Sequence, residues 1–359
     1  MTLTQSTAIL RTHQTNLKER KITENCADMW PDRRLLELFG IEVPIVQAPM
    51  AGAMDWELAA AAAQAGALGS LPCAMLDADQ VREQLGKIRA HTTKPINLGF
   101  FCHAQPVLNN QREARWRERL APYYRELEID PAAPVPPSNR GAFDGTFCEV
   151  VEELKPEVVS FHFGLPEPAL LRRVKAAGCV VISSATTVAE ARWLEGRGVD
   201  AVRVPVIAAG AVADARGMAA AFALGAAGVQ IGSVYLWCPE AKISKPHRAA
   251  LKTASEQGTA LTNLMTGRPA RGIINRVMRE IGPMSDVAPA FPLAAGALAP
   301  LRARAEAKGS GDFSPMWAGQ AASLGRSLPA GELTRALAAE ALERIRAFAE
   351  PKPEDATRA

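Results

Sequence analysis

Residues 204–233, VPVIAAGAVADARGMAAAFALGAAGVQIGS, constrain the fold more than any other stretch of the chain. An apolar run (204–209) meets a small-residue turn at Gly210 and Ala211, and an alanine-rich helical pattern covers 214–224. A second apolar run (229–231) then closes on Gly232 and Ser233. Strand, turn, helix and strand in that order predict a βαβ unit, which places its two strands parallel. Both turns suit an anion. Glycine and alanine let backbone N–H groups approach a phosphate, and a helix starting after Ser233 would add the positive end of its dipole. In parallel barrels the turns after the last two strands are the usual phosphate site. The same small residues also suit plain helix–sheet packing.

The unit belongs to a longer rhythm. Candidate strands lie at 44–50, 67–71, 96–100, 158–164, 180–185, 201–209 and 228–236. Helical patterns fill the intervals at 56–65, 78–90, 147–154, 168–177, 188–197 and 214–224. Asp77 and Asp79, Thr187 and Asp214 stand as start signals before three of these helices. Strands alternating with helices of this length predict an α/β fold with a parallel sheet, and their number predicts a barrel. The stretch 101–147 interrupts the rhythm with a charged helical segment and the proline-rich PAAPVPPSNRG (131–141). It is either a lid over the barrel mouth or a contact between copies in a homo-oligomer. The expected organisation is a flexible arm (1–34), a barrel (35–238) with an insertion at 101–147, a mainly helical subdomain (239–345) and a disordered tail (346–359).

Charge adds exclusions. The 41 basic and 38 acidic residues nearly cancel, leaving +3, and no Lys/Arg stripe interleaves with aromatics, so nucleic acid is not an expected partner. The segment REARWRERLAPYYR (112–125) alternates sign at helical spacing and reads as a solvated helix face. Six scattered cysteines form no CxxC and no metal-ligand spacing, which fits reduced thiols. Alanine-rich runs such as 58–65 are too short to span a bilayer, and residues 1–21 hold no apolar core of a signal peptide. The expected location is the cytoplasm, with no metal and no membrane partner.

Nine segments, in order, resemble the nitronate monooxygenase family, formerly the 2-nitropropane dioxygenases. They are IVQAPMAG (45–52), GALGSL (66–71), KPINLGFFCH (94–103), VVSFHFG (158–164), SSATTVAEA (183–191), VPVIAAG (204–210), LGAAGVQIGS (224–233), LTNLMTGRPARGI (261–273) and SPMWAGQ (314–320). The resemblance implies an FMN-dependent flavoprotein on a TIM-type (β/α)8 barrel. It implies that Pro49, Met50 and Ala51 rest against the flavin ring, and that Gly210, Gln230, Ile231, Gly232 and Ser233 form the phosphate turns. Ser233 stands where threonine is usual, and either hydroxyl donates to a phosphate oxygen. Ala211 stands where a second glycine is usual; it still presents an N–H but disfavours positive φ. The family's flavin-contacting asparagine aligns with Gly99. Asn97 shares that strand face and either substitutes from one layer below or is a structural amide.

One departure matters. The family carries an AQG…EAGGHRG segment whose histidine is taken as the catalytic base, whereas this chain runs from GVDAV (198–202) through Arg203 directly into VPVIAAG. None of the five histidines (His13, His91, His103, His162, His247) stands in that setting. One βα unit is therefore expected to be missing, leaving an open barrel or a rearranged one. The expected substitute base is His162, at the C-terminal end of a strand where barrel enzymes place catalytic groups; His103 is a weaker candidate. Cys73 and Cys102 read as buried inert thiols.

The resemblance implies oxidation of alkyl nitronates, or of nitroalkanes, with O2 to carbonyl compounds and nitrite. Without the histidine segment, already deprotonated nitronates are the expected substrates. Two alternatives stay open: an NAD(P)H-dependent FMN reductase of quinones or enoyl substrates, and a catalytically inactive barrel relic. No GxGxxG follows a strand, so a Rossmann nicotinamide site is not expected.

Overall fold

Seven parallel strands carry the fold in the computed structural model, which describes residues 30–132, 134, 138–200, 206–254 and 258–349. They are β1 (Ile45–Gln47), β2 (Gly69–Pro72), β3 (Ile96–Phe101), β4 (Val158–His162), β5 (Val180–Ser183), β6 (Ile207–Ala209) and β7 (Gly228–Ile231). Pairing runs β6–β7–β1 and β2–β3–β4–β5, and a bridge between Val46 and Leu68 joins the two sets into one curved wall. The strands read as near-continuous apolar runs because both faces are covered, one by the ring of helices and one by the barrel interior.

Among the described residues the wall is not closed, and no strand lies between β5 and β6, in agreement with the loss of one βα unit. The base of that slot is nonetheless occupied. Asp200 N–H donates to the Val181 carbonyl at 2.8 Å, and Val181 N–H donates to Asp200 Oδ2 at 2.9 Å. Residues 199–200 are thus the stub of a lost strand, laid along the lower half of β5. On that side no described residue pairs with the upper half, at the C-terminal end. Residues 201–205, the first part of the expected strand 201–209, lie outside the described residues.

Local chemistry explains the helices between the strands. Asp77 and Thr187 each cap a helix in a reciprocal box, with Gln80 and Glu190 respectively. Asp214 accepts from the N–H groups of Arg216 and Gly217 at the start of Ala215–Ala223. The terminal helix Ala330–Ala349 runs past position 345 and packs on Trp56–Gln64 and Ala215–Ala223, so the end of the chain joins the ring around the barrel. Trp30, within the expected arm, is buried with its ring 5.4 Å from Phe222. The arm up to residue 29 and the tail from 350 lie outside the described residues.

Two expectations change. The strand expected over 228–236 ends at Ile231, and Ser233–Trp237 forms a five-residue 3₁₀ turn, so no long helix aims its dipole at Ser233. The charged segment does form a helix, Asn110–Glu126, but one side is deeply buried rather than solvated. Trp116, Leu120 and Tyr124 pack on Leu298 and Leu301 of helix Ala294–Ala307 in a second apolar cluster beside the barrel core. Trp116 Nε1 donates to the Ala294 carbonyl at 3.3 Å, and Tyr124 Oη donates to that of Ala297 at 2.6 Å.

Candidate active site

Pairing of β6 with β7 sets Ala209 against Gln230, so the two small-residue turns stand side by side at the C-terminal end of the wall. Gly210 has φ 98° and Ala211 φ 57°, which turns the chain back sharply and leaves both residues exposed. Ala211 therefore adopts the left-handed region that its Cβ disfavours. Ile231 is buried as part of β7, while Gly232 and Ser233 face a cavity of about 320 Å³. Ser233 Oγ accepts from Gly319 N–H at 2.7 Å and keeps its own proton to donate.

That cavity is also lined by Met50, Ala51 and Trp317, with four cations, Arg140, Lys242, Arg271 and Arg302, against one carboxylate, Glu306. The cations come from four separate segments, which is why sequence reading missed them; Arg140, Arg271 and Trp317 sit in segments quoted above, and there without a role. His247 closes the wall. It is buried, its Nε2 has no hydrogen-bond partner, and burial pulls its pKa down to about 4. Burial also depresses the pKa of Arg140, as does the charge of Arg302 facing it.

Pro49 lies directly over Gly99. A Cβ at position 99 would meet Pro49 Cβ and Cγ at 2.9 Å, so this close approach leaves no room for a side chain there. Asn97 lies one layer lower, fully buried, donating from Nδ2 to Ser70 Oγ (3.0 Å) and Ser160 Oγ (2.9 Å). Its Oδ1 has no partner, and Asn97 lines neither cavity described here.

His162 belongs to a second cavity, of about 430 Å³, in the open upper half of the slot. Its walls are Ser160, Ser183, Ser184, Ala209 and Gln230, with Val188 and Val206 at the rim. His162 Nδ1 lies 3.1 Å from Ser184 Oγ, and burial holds its pKa below the usual imidazole value. His103 is buried beside Phe291, with ring centroids 4.9 Å apart; burial first and Arg268 second lower its pKa. Burial pushes the Cys102 thiol up to about 12 and that of Cys73 higher still, as expected of inert thiols. No group of residues suited to a metal occurs among the described residues, and no helix there is long and apolar enough to cross a membrane.

Parallel strands ringed by helices, with two small-residue turns side by side and a basic cavity at their C-terminal ends, define an α/β barrel of the TIM type. The model of the nitronate monooxygenase family matches residues 32–202 and 199–340. Nitronate monooxygenases of Paraburkholderia phytofirmans and Pseudomonas aeruginosa are each 36% identical to this chain. The first aligns over 90% of this chain and 99% of its own length, the second over 86% and 98%. The solved nitroalkane oxidase of Streptomyces ansochromogenes superposes with a TM-score of 0.79 at 32% identity, covering 88% of this chain and 99% of that one. FabK from Thermotoga maritima follows at 0.67 and 25%, covering 88% and 98%. The chain belongs to the nitronate monooxygenase family and is an enzyme of that flavin oxidoreductase type.

The family match breaks into two pieces that meet at 199–202, the base of the slot. The alignment with the Paraburkholderia protein spans 364 positions yet uses only 90% of the 359 residues here, so roughly 40 residues of that relative stand opposite gaps.

Proposed function

We propose that this protein binds FMN and oxidises alkyl nitronates with O2 to carbonyl compounds and nitrite, favouring nitronates over neutral nitroalkanes. The observation that carries the reading is the adjacency of the Gly210–Ala211 and Gly232–Ser233 turns, the second of which opens on a cavity walled by Met50 and four cations. The residues fit the cofactor. Backbone N–H groups of the two turns and the Ser233 hydroxyl would hold the phosphate, and Pro49, Met50 and Ala51 offer an apolar support for a flat ring. Bound flavin supplies the redox step and the reaction with oxygen. Arg271, Lys242, Arg140 and Arg302 surround the cavity with positive charge, which favours a nitronate, an anion, over its neutral parent.

A neutral nitroalkane must also lose its α-proton. His162 is the group we assign to that step. Its lowered pKa keeps the imidazole neutral and able to accept a proton at physiological pH, yet makes it a weaker base. The test is to purify the protein, record its flavin spectrum and compare turnover of a nitroalkane with that of its preformed nitronate. Yellow protein that prefers the nitronate is expected. Colourless protein that FMN does not stabilise overturns the cofactor reading, and equal turnover of the two substrates overturns the preference. Bleaching of the flavin by NADH without nitronate turnover would favour a reductase instead.

A further inference from the structure

The strand register decides which side chains meet beside the slot. Phe161 pairs with Ser183 and Ser160 with Ile182, so His162 and Ser184 are the next in-register positions of two parallel strands and share one face. That face is the inward one, because Ser160, two residues before His162, reaches Asn97 in the interior. Ser183 points the other way and donates to the Phe161 carbonyl at 2.9 Å. The contact of His162 Nδ1 with Ser184 Oγ at 3.1 Å therefore follows from backbone register, and among the described residues it is the one hydrogen bond of that ring.

We propose that Ser184 is a positioning residue: its hydroxyl oxygen accepts from Nδ1–H of His162, which leaves the lone pair on Nε2 free to accept a proton. This rests on the assignment of His162 as base. In the step it serves, the C–H bond of a neutral nitroalkane breaks and its electron pair moves into the nitro group to give the nitronate. The proton is then held on Nε2. Once both ring nitrogens carry protons, Nδ1 still needs an acceptor. Ser184 is the acceptor in place, and as an exposed residue it can pass its own hydroxyl proton to water. Among the described residues the slot lining brings no charged side chain to that ring; the titratable and charged groups nearby are His103, which shares the Phe101 ring with His162, Arg268, which lies over Phe163, and Glu190, whose carboxylate is taken up by Thr186 and Thr187 at the rim. No carboxylate among the described residues bonds this ring, and a neutral hydroxyl is what orients the histidine.

The test combines ring-nitrogen NMR of His-labelled protein, without FMN, with kinetics of the FMN-loaded enzyme. Wild-type His162 is expected as the Nδ1–H tautomer, and Ser184→Ala is expected to shift it toward Nε2–H and to lower its pKa. The same change should cut the ratio of nitroalkane to nitronate turnover roughly tenfold and move the acid limb of the nitroalkane pH profile down, whereas Ser184→Thr keeps both near wild type. An Nε2–H tautomer in the wild type, or a Ser184→Ala variant with the same tautomer and pH profile, overturns the proposal. His162→Gln separates the two readings. If it leaves nitroalkane turnover intact, the base assignment fails, while the tautomer still reports on Ser184.

Discussion

Ala211 holds φ 57° in a turn whose preceding residue, Gly210, holds φ 98°. A left-handed alanine costs about 1–2 kcal/mol, and a glycine there would return about 0.5–1 kcal/mol to the unfolded chain as entropy. Ala211→Gly is therefore expected to stabilise by roughly 0.5 kcal/mol, raising the urea midpoint without changing the slope, and to hold FMN at least as tightly. A lowered midpoint would show that the turn prefers alanine. His247 makes a prediction of the opposite kind. Its folded pKa is about 4 and that of an exposed histidine about 6.5, so the unfolded chain binds the extra proton first. The contribution is complete above about pH 6.5 and is lost as pH falls toward 4, at most about 3 kcal/mol. Acid unfolding of His247→Gln should be flatter across that window than that of wild type, and an identical slope would mean that His247 is hydrated in solution.

At the scale of elements, all seven parallel strands were readable because apolar runs and their bounding turns are local signals, whereas the short antiparallel pair Thr259–Thr262 and Ala270–Ile273 fell where helix was expected. Pro44 and Pro49 then trimmed the first strand to Ile45–Gln47, and Gly232 ended the last one. What local pattern does not carry is pairing between distant residues. The sequence places the loss of a unit at 198–202 and implies a leftover strand stub there; only the bonds of Asp200 to Val181 show that this stub lies along β5. Likewise Arg140, Lys242, Arg271 and Arg302 mean little apart and form a basic wall only together. The open slot leaves its mark on its neighbours. In helix Val188–Glu195 only Leu194 is buried; Val188 is 69% exposed, and Val206 on the other bank is 55% exposed. Unpaired edges and thin burial favour local opening, so amides of β5 and β6 should exchange at free energies about 2 kcal/mol or more below those of β2 to β4. Uniform protection across the wall in native-state exchange would mean that the slot is filled in solution.

For the whole molecule, two apolar bodies share one chain, and the fold depends on how they are tied. The barrel core gathers residues from Trp30 to Ile345, whereas the second cluster joins the insertion helix to residues 264–313. No sequence period announces this pairing, because Trp116 and Ala294 lie 178 residues apart. The tie at the surface is an exposed pair, Arg276 with Glu126, whose worth is about 1 kcal/mol or less. The tie that matters is Trp116, fully buried against the helix Ala294–Ala307. Trp116→Ala removes that ring and its bond to the Ala294 carbonyl, at a cost of about 3–5 kcal/mol. Because the damage is confined to the second cluster, calorimetry should show the helical layer melting ahead of the barrel where the wild type gives one transition. Arg302 and Glu306 belong to the cavity wall but stand on that layer's helix, so turnover should fall at the first transition while a flavin held, as proposed, by the turns after β6 and β7 stays bound until the second. A single transition with loss of flavin and turnover together would show instead that barrel and layer fold as one unit.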